Sequence, residues 1–314
     1  MRRWILALAL ALPASPLLAV LATEIFVVSG TSGDGAPTEL WQRLVRRHSG
    51  EKAAAASAAL RRPPSAAEQA WEQLIRTRAL VWNDRLAALA APFAPVRPPE
   101  AIWIVLGNRD ADDAFTHDRV TIGFDLSRLV AVYGPATEPE NRARIDRFFD
   151  HESTHLLQKA WLERHPQAPA TPVERAELGI WLEGLGNWYS LSDRWRSTDG
   201  VAPEAARAAL AELEPLLVER MEALVCAGPA DEARLTADLS MGPFTKKWGA
   251  LPAALWLEAE ASRSPDAVRD FVEAGPAGVP AFARRHLPAP LAARLDAARE
   301  RGRSCPGRDA ERSP

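Results

Sequence analysis

Two histidines and a glutamate within five residues, in His151-Glu152-Ser153-Thr154-His155, have side chains that can bind a metal and transfer a proton. In a helix, side chains four residues apart lie on one face, about one turn apart. Two imidazoles placed in this way can bind one Zn²⁺ ion. Glu152 would lie beside that ion without binding it, where its carboxylate can accept a proton from an attacking water. The motif therefore predicts His151 and His155 as metal ligands and Glu152 as a general base.

The flanking sequence predicts one long helix, over 138–163, that positions this motif. Thr137-Glu138-Pro139-Glu140 has the pattern of a capping box with proline in the first turn, and Pro166 ends the helix. Apolar residues share a face with Glu152 at helical spacing, namely Ile145, Phe148, Phe149, Leu156 and Leu162. Because an unpaired buried carboxylate is costly, the position of Glu152 on this face favours a functional role.

A catalytic zinc site needs a third protein ligand, and Glu183 is the preferred candidate. It lies on a second predicted helix, which begins with the cap and proline of 171–174. The surrounding residues are apolar and small, and Gly184 and Gly186 indicate that the backbone of the first helix comes close. Asn187 lies one turn after Glu183 and could orient a ligand.

The sequence leaves other residues as alternatives for the third ligand. Glu174 and Glu177 are on the same predicted helix and are equally eligible if Glu183 is an ordinary exposed glutamate. His165 follows the motif but would need a sharp chain reversal to reach the metal. A histidine ligand six residues after the second motif histidine is excluded, because that residue is Trp161.

With a glutamate on the second helix, the chain resembles the gluzincin branch of the zincin metallopeptidases. The run 183–186, Glu-Gly-Leu-Gly, is also similar to small predicted zinc proteases of bacteria. The resemblance covers residues 100–190 and implies a Zn²⁺ cofactor, with Glu152 as general base. The zinc ligands that it implies are His151, His155 and Glu183. The best-known gluzincins have an aspartate where this chain has Asn187, so His151 would donate to a neutral amide here.

The residues before the motif predict two strands. Residues 101–106 form a short apolar run, and 119–125 alternate between apolar and polar or small residues. Zincin folds place a small sheet over the motif helix, and its edge strand can hold an extended peptide. Residues 119–125 are the candidate edge, and His117 precedes them as a loop histidine that could face the cleft. The predicted fold class is α+β, mostly helical and zincin-like, with a small β-sheet over the active-site helix.

The N-terminus predicts export. Residues 1–22 have the pattern of a signal peptide or membrane anchor, since two arginines precede an apolar stretch. Both interpretations put the body outside the cytoplasm, either periplasmic or extracellular, or anchored in the inner membrane facing outward. In an oxidising compartment, Cys226 and Cys305 could form one disulfide.

The remaining boundaries follow from composition and from helix signals. The expected regions are a flexible linker over 23–37, an N-terminal helical region over 38–97, the zincin-like catalytic domain over 98–298, and a disordered tail over 299–314. Weak candidates for an oxyanion donor on the far wall of the cleft are Lys246, Arg285 and His286.

Charge and composition limit the functional classes. The 314 residues are 47% hydrophobic, which supplies ample core, and the net charge of −3 gives no indication of nucleic acid as a partner. The motif and the resemblance together lead us to expect a zinc-dependent peptidase that acts on a peptide or protein substrate outside the cytoplasm. The alternative is a non-catalytic, zincin-like peptide-binding or scaffold protein of the cell envelope.

Overall fold

The computed structural model describes residues 23–108 and 112–304. It is mostly helical, at 65%, and the described residues contain one small mixed sheet of four strands. This confirms the predicted α+β class. The predicted anchor or signal peptide over 1–22 and Cys305 lie outside the described residues, so export and the pairing of Cys226 with Cys305 stay predictions. Among the described residues, no helix combines the length and the apolarity needed to cross a membrane.

The sheet has the order β1-β2-β4-β3. Its strands are β1 (Glu24–Ser29), β2 (Ala101–Gly107), β3 (Ala114–Thr116) and β4 (Thr121–Asp125). The strands β1, β2 and β4 are parallel, whereas β3 is antiparallel to β4. Part of the predicted flexible linker is therefore wrong, because the backbone of 24–29 pairs with β2 along its whole length.

Helices form the rest of the regular structure in the described ranges. They are α1 (Glu39–Ala59), α2 (Ala66–Ala79), α3 (Trp82–Ala90), α4 (Leu126–Tyr133), α5 (Pro139–Arg164), α6 (Pro172–Ser190), α7 (Glu204–Ala223), α8 (Pro229–Thr236), α9 (Ala250–Ala261), α10 (Ala267–His286) and α11 (Ala289–Arg303). Short 3-10 turns occur at Ala91–Phe93, Asp193–Trp195 and Phe244–Lys246.

The helix α5 joins the two halves of the core. Its residues Ile145, Phe149 and Leu156 pack with the sheet and with α2, α3 and α4. Leu157 and Trp161 lie on a different side of α5, and they pack with α6 and the later helices. A 26-residue helix with apolar residues on two sides can hold both halves, and it carries the histidine motif at the boundary between them.

The ends of three helices show how well local signals predict boundaries. The capping box at Thr171 and Glu174 forms as expected and begins α6. The capping box expected at Thr137 is wrong, because Glu138 is the N-cap of α5 and makes no side-chain cap bond. The tail predicted to be disordered from 299 is helical as far as Arg303, since Arg299 pairs with the buried carboxylate of Glu177 at 2.6 Å.

Two buried carboxylates fasten α5 to the N-terminal helices. Asp146 accepts hydrogen bonds from Arg78 at 2.8 and 2.9 Å and from the Trp82 indole at 2.7 Å. One turn later, Asp150 forms an ion pair with Arg85. The helices α2 and α3 thus share a core and ion pairs with α5, which carries the motif.

The Asp146 contact yields a stability prediction. We expect Asp146→Ala to lower the free energy of unfolding by about 2–4 kcal/mol, since it leaves a mostly buried guanidinium and an indole N–H without their acceptor. Urea unfolding measures the change. Asp270→Ala, on the exposed side of α10, is the matched control and should change stability by less than about 0.5 kcal/mol. Equal effects of the two substitutions would contradict the proposed anchoring.

Candidate metal centre

Two adjacent helices bring His151, His155 and Glu183 together. The histidines lie one turn apart on α5, and the glutamate is on α6. The two Nε2 atoms are 3.0 Å apart, and Glu183 oxygens lie 3.6 Å from Nε2 of His151 and 3.7 Å from Nε2 of His155. A four-coordinate ion with bonds of about 2.1 Å holds neighbouring ligand atoms about 3.4 Å apart. The three side chains therefore form a group that could hold one metal ion.

Gln158 determines which nitrogen of His155 is free to bind. The amide nitrogen of Gln158 donates to the backbone oxygens of Trp181 and Leu182, both at 3.1 Å. Its oxygen therefore faces Nδ1 of His155 at 2.8 Å, and this oxygen can only accept. The hydrogen-bond network assigns the His155 proton to Nδ1 and leaves the Nε2 lone pair directed at the other ligands.

His151 is fixed in the same way by the backbone of α6. Its ring donates a hydrogen bond to the carbonyl of Gly186. The pKa of His151 is well below its usual value because the ring is buried and because His155 is close by. A neutral ring with its Nδ1 proton on Gly186 presents the Nε2 lone pair to His155 and Glu183.

Gly186 explains why α6 can lie so close to both rings. A Cβ at this position would be 3.0 Å from Cε1 of His151 and 3.2 Å from Cε1 of His155. Gly184, by contrast, faces α9, where a Cβ would be 2.6 Å from that of Ala253. Both glycines were expected to face α5, but only Gly186 does so, next to the two histidines. Gly184 instead allows α6 and α9 to pack closely.

Glu152 is next to the metal group but does not belong to it. Its side chain is buried, with 7% exposure, and burial raises its pKa to about 8, with a further contribution from the negative charge of Glu183. The side chain of Thr116 hydrogen-bonds Glu152, and the charge of Lys159 acts in the same direction, towards a lower pKa. The Lys159 Nζ itself lies 3.2 Å from the carbonyl of Asp118 and 3.4 Å from the Thr116 hydroxyl.

Asn187 hydrogen-bonds within its own helix. Its amide donates to the backbone carbonyl of Glu183 at 2.7 Å, so this bond supports the ligand residue through the backbone. Asn187 was expected to accept a hydrogen bond from His151, but the acceptor is the carbonyl of Gly186. The role of Asn187 as an orienting residue for a metal ligand stays a prediction.

The other candidate ligands have different partners. Glu174 completes the capping box of α6, and Glu177 pairs with Arg299. His165 stacks on Trp161 at the end of α5, with its Nδ1 at 3.0 Å from the Trp161 carbonyl. Each of these side chains serves the ends or the packing of the helices, whereas Glu183 faces the two histidines.

The candidate oxyanion donors form ion pairs or hydrogen bonds with acidic residues of other helices. Lys246 bonds Glu212 at 2.7 Å, and Arg285 and His286 both contact Glu260. The sequence did not single out Lys247, which lies near enough to His151 for its charge to contribute to the low pKa of that histidine.

The strand that borders the site also differs from the expectation. Residues 119–125 do not form an edge, because β4 lies between β2 and β3. The edge strand is β3, and its Thr116 side chain reaches Glu152 and Lys159 on α5. His117 follows β3 directly and is partly buried, and burial together with the charges of Arg47 and Lys159 lowers its pKa. A three-residue strand without strong alternation is difficult to distinguish from a loop by sequence.

Comparisons with known proteins gave no relative: no family model, curated protein sequence or solved structure matches the chain. The functional interpretation therefore rests on the residues and on their geometry. These show a His-His-Glu group that could hold a metal ion, in a mostly helical α+β fold.

The Gln158 contact yields a prediction for metal affinity. We expect Gln158→Met to weaken Zn²⁺ binding by about 10–100-fold, because His155 loses the acceptor that fixes its tautomer and ring orientation. Competition with a chromogenic chelator measures the affinity. Gln167→Met, at an exposed position after α5, is the control and should bind zinc like the unaltered protein. Unchanged affinity in Gln158→Met would contradict the assigned role.

Proposed function

We propose that this protein is a zinc-dependent peptidase. The observation that carries the proposal is the buried carboxylate of Glu152 beside, and not within, the group formed by His151, His155 and Glu183. Two imidazole nitrogens and one carboxylate oxygen are the ligand set of many catalytic zinc sites, which keep a fourth position for water or substrate. A buried acid with a raised pKa next to such a group is typical of an active site.

The roles of the residues follow from their positions. When bound, Zn²⁺ supplies Lewis-acid chemistry, in that it lowers the pKa of a water and polarises the scissile carbonyl. Glu152 accepts the proton of the attacking water and delivers it to the leaving amine. Thr116 and Lys159 favour the ionised carboxylate that this first step needs. The carbonyl of Gly186 and the side chain of Gln158 orient the rings of His151 and His155, as described above.

The edge strand supports a peptide as the substrate. In the described part of the chain, β3 is the edge strand of the sheet and pairs with β4, and the edge of a sheet is where an extended peptide can add as a further strand. An extended peptide bound there would run past Thr116, whose side chain contacts Glu152. We infer that the scissile bond is presented to Glu152 from this edge.

Export belongs to the same proposal. The apolar segment 4–22 with its preceding arginines supports secretion or anchoring with the body outside the cytoplasm. The substrates would then be peptides or proteins of the cell envelope or its surroundings. A peptide-binding or scaffold protein that does not cleave its partner is the competing function, and the following experiment separates the two.

Glu152→Gln is the decisive substitution, since it removes the base and retains the shape of the side chain. In a peptidase it should leave zinc content and folding unchanged and lower turnover of a peptide library by about 10²–10⁴-fold. Glu163→Gln, an exposed position at the end of α5, is the control and should keep full activity. Cleavage by Glu152→Gln at the rate of the unaltered protein would contradict the peptidase proposal. Peptide binding without cleavage by the unaltered protein would favour the scaffold function.

A further inference from the structure

An exposed aromatic pair lies on the sheet, on β1 and β2. Phe26 of β1 and Trp103 of β2 occupy paired positions, and their rings stack with centroids 4.7 Å apart. The two residues are 37% and 39% exposed, which is unusual for large aromatic residues in the middle of strands. A stacked apolar surface of this kind on a sheet face suggests a contact partner.

The face that carries this pair is only partly covered by helices. Near the C-terminal ends of the strands, Val28 and Val105 pack under α1 together with Phe115 of β3. Phe26 and Trp103 lie two residues earlier in β1 and β2 and stay exposed. The opposite face is covered by α2 to α5, because strand residues alternate between the two faces.

The N-terminal segment enters the sheet next to the aromatic pair. Thr23 is buried, and its hydroxyl donates to the carbonyl of Pro99 at 2.9 Å, which fixes the point where the chain joins β1. Phe26 follows the apolar segment 4–22 by only four residues. Four residues span at most about 14 Å, and the polar layer on each side of a bilayer is about 5–8 Å thick. A membrane that holds the segment is therefore within reach of the pair.

We propose that Phe26 and Trp103 form a membrane-contact surface, which seats the body on the lipid headgroup layer beside the N-terminal apolar segment. Aromatic rings, those of tryptophan above all, favour this layer because they combine an apolar body with a polar edge. Glu24 and Glu100 are exposed at the same ends of the strands, so the surface fits a zwitterionic lipid such as phosphatidylcholine and not an anionic one.

This contact would also orient the metal centre. The helix α5 packs on the opposite face of the sheet from Phe26 and Trp103. Glu152, which lies next to the metal ligands, contacts Thr116 of β3, at the opposite edge of the sheet from β1. A body seated on the aromatic pair therefore keeps its metal centre open to the aqueous side. The proposal depends on the segment 4–22 and is independent of zinc binding and peptidase activity.

Photolabelling from within the bilayer tests the proposal. The full chain is reconstituted in phosphatidylcholine vesicles that contain a lipid with a phenyl-diazirine at the glycerol level, irradiated and digested. Mass spectrometry then locates the labels. Val201 and Met241 are matched controls, because they are 64% and 56% exposed, more than either aromatic residue, but belong to the later helical part. We expect labels on 4–22, and on Phe26 and Trp103 at least about threefold above these controls.

A substitution gives a second measurement. Phe26→Glu should remove the labels on Trp103 and keep those on 4–22, while the circular dichroism spectrum stays unchanged. Addition of anionic phosphatidylglycerol should not increase the labels on Trp103. Labels on Val201 or Met241 at the level of Trp103, or a crosslink between two chains at Trp103 without lipid labels, would overturn the proposal. Absence of labels on 4–22 would overturn it as well.

Discussion

The candidate metal centre depends on the convergence of two imidazole nitrogens and one carboxylate on the same point between α5 and α6. The proton of His155 is on the side of Gln158, and that of His151 is on the side of Gly186. The two Nε2 lone pairs therefore face each other at 3.0 Å, with the carboxylate of Glu183 within 3.7 Å of both. A cation bound among these three electron-rich groups would be attracted by all of them. The close packing of α5 on α6 keeps them together, and it is possible because Gly186 has no side chain.

The acids of α5 divide into two kinds by their partners. Asp146 and Asp150 are held by the guanidinium groups of Arg78 and Arg85, which fasten the helix to the N-terminal part of the chain. Glu152, on the other side of the helix, has the Thr116 hydroxyl and the charge of Lys159 nearby, and burial still raises its pKa to about 8. Paired acids stabilise the fold, whereas an acid with a pKa this close to neutral can exchange protons.

Much of the centre follows from local sequence, since it depends on helical spacing. The four-residue separation of the histidines and the capping box at Thr171 describe α5 and α6 closely enough to bring Glu183 into consideration. The choice among Glu174, Glu177 and Glu183 needed the structure, because it depends on the distant Arg299, which pairs with Glu177. Gln158 could have been found by its spacing, three residues after His155, with an oxygen free to accept.

The predictions from sequence that were wrong concern contacts between residues that are distant in the chain. Residues 24–29 are next to glycine- and serine-rich sequence, but they form a strand because β2, more than 70 positions later, supplies the partner backbone. The edge strand was misplaced because the three residues of β3 carry little pattern of their own. In both cases, long-range pairing overrides local composition.

Zinc titration of two matched variants of the full chain tests whether Glu183 completes a metal centre with the two histidines. Glu183→Gln removes a proposed ligand, whereas Glu177→Gln alters a buried glutamate of the same helix that pairs with Arg299. Calorimetry should find one zinc per chain for the unaltered protein and for Glu177→Gln. The affinity of Glu183→Gln should be at least about 100-fold lower, since two imidazoles alone hold zinc weakly. Equal affinity in Glu183→Gln and the unaltered protein would contradict the assignment of His151, His155 and Glu183 as one metal centre.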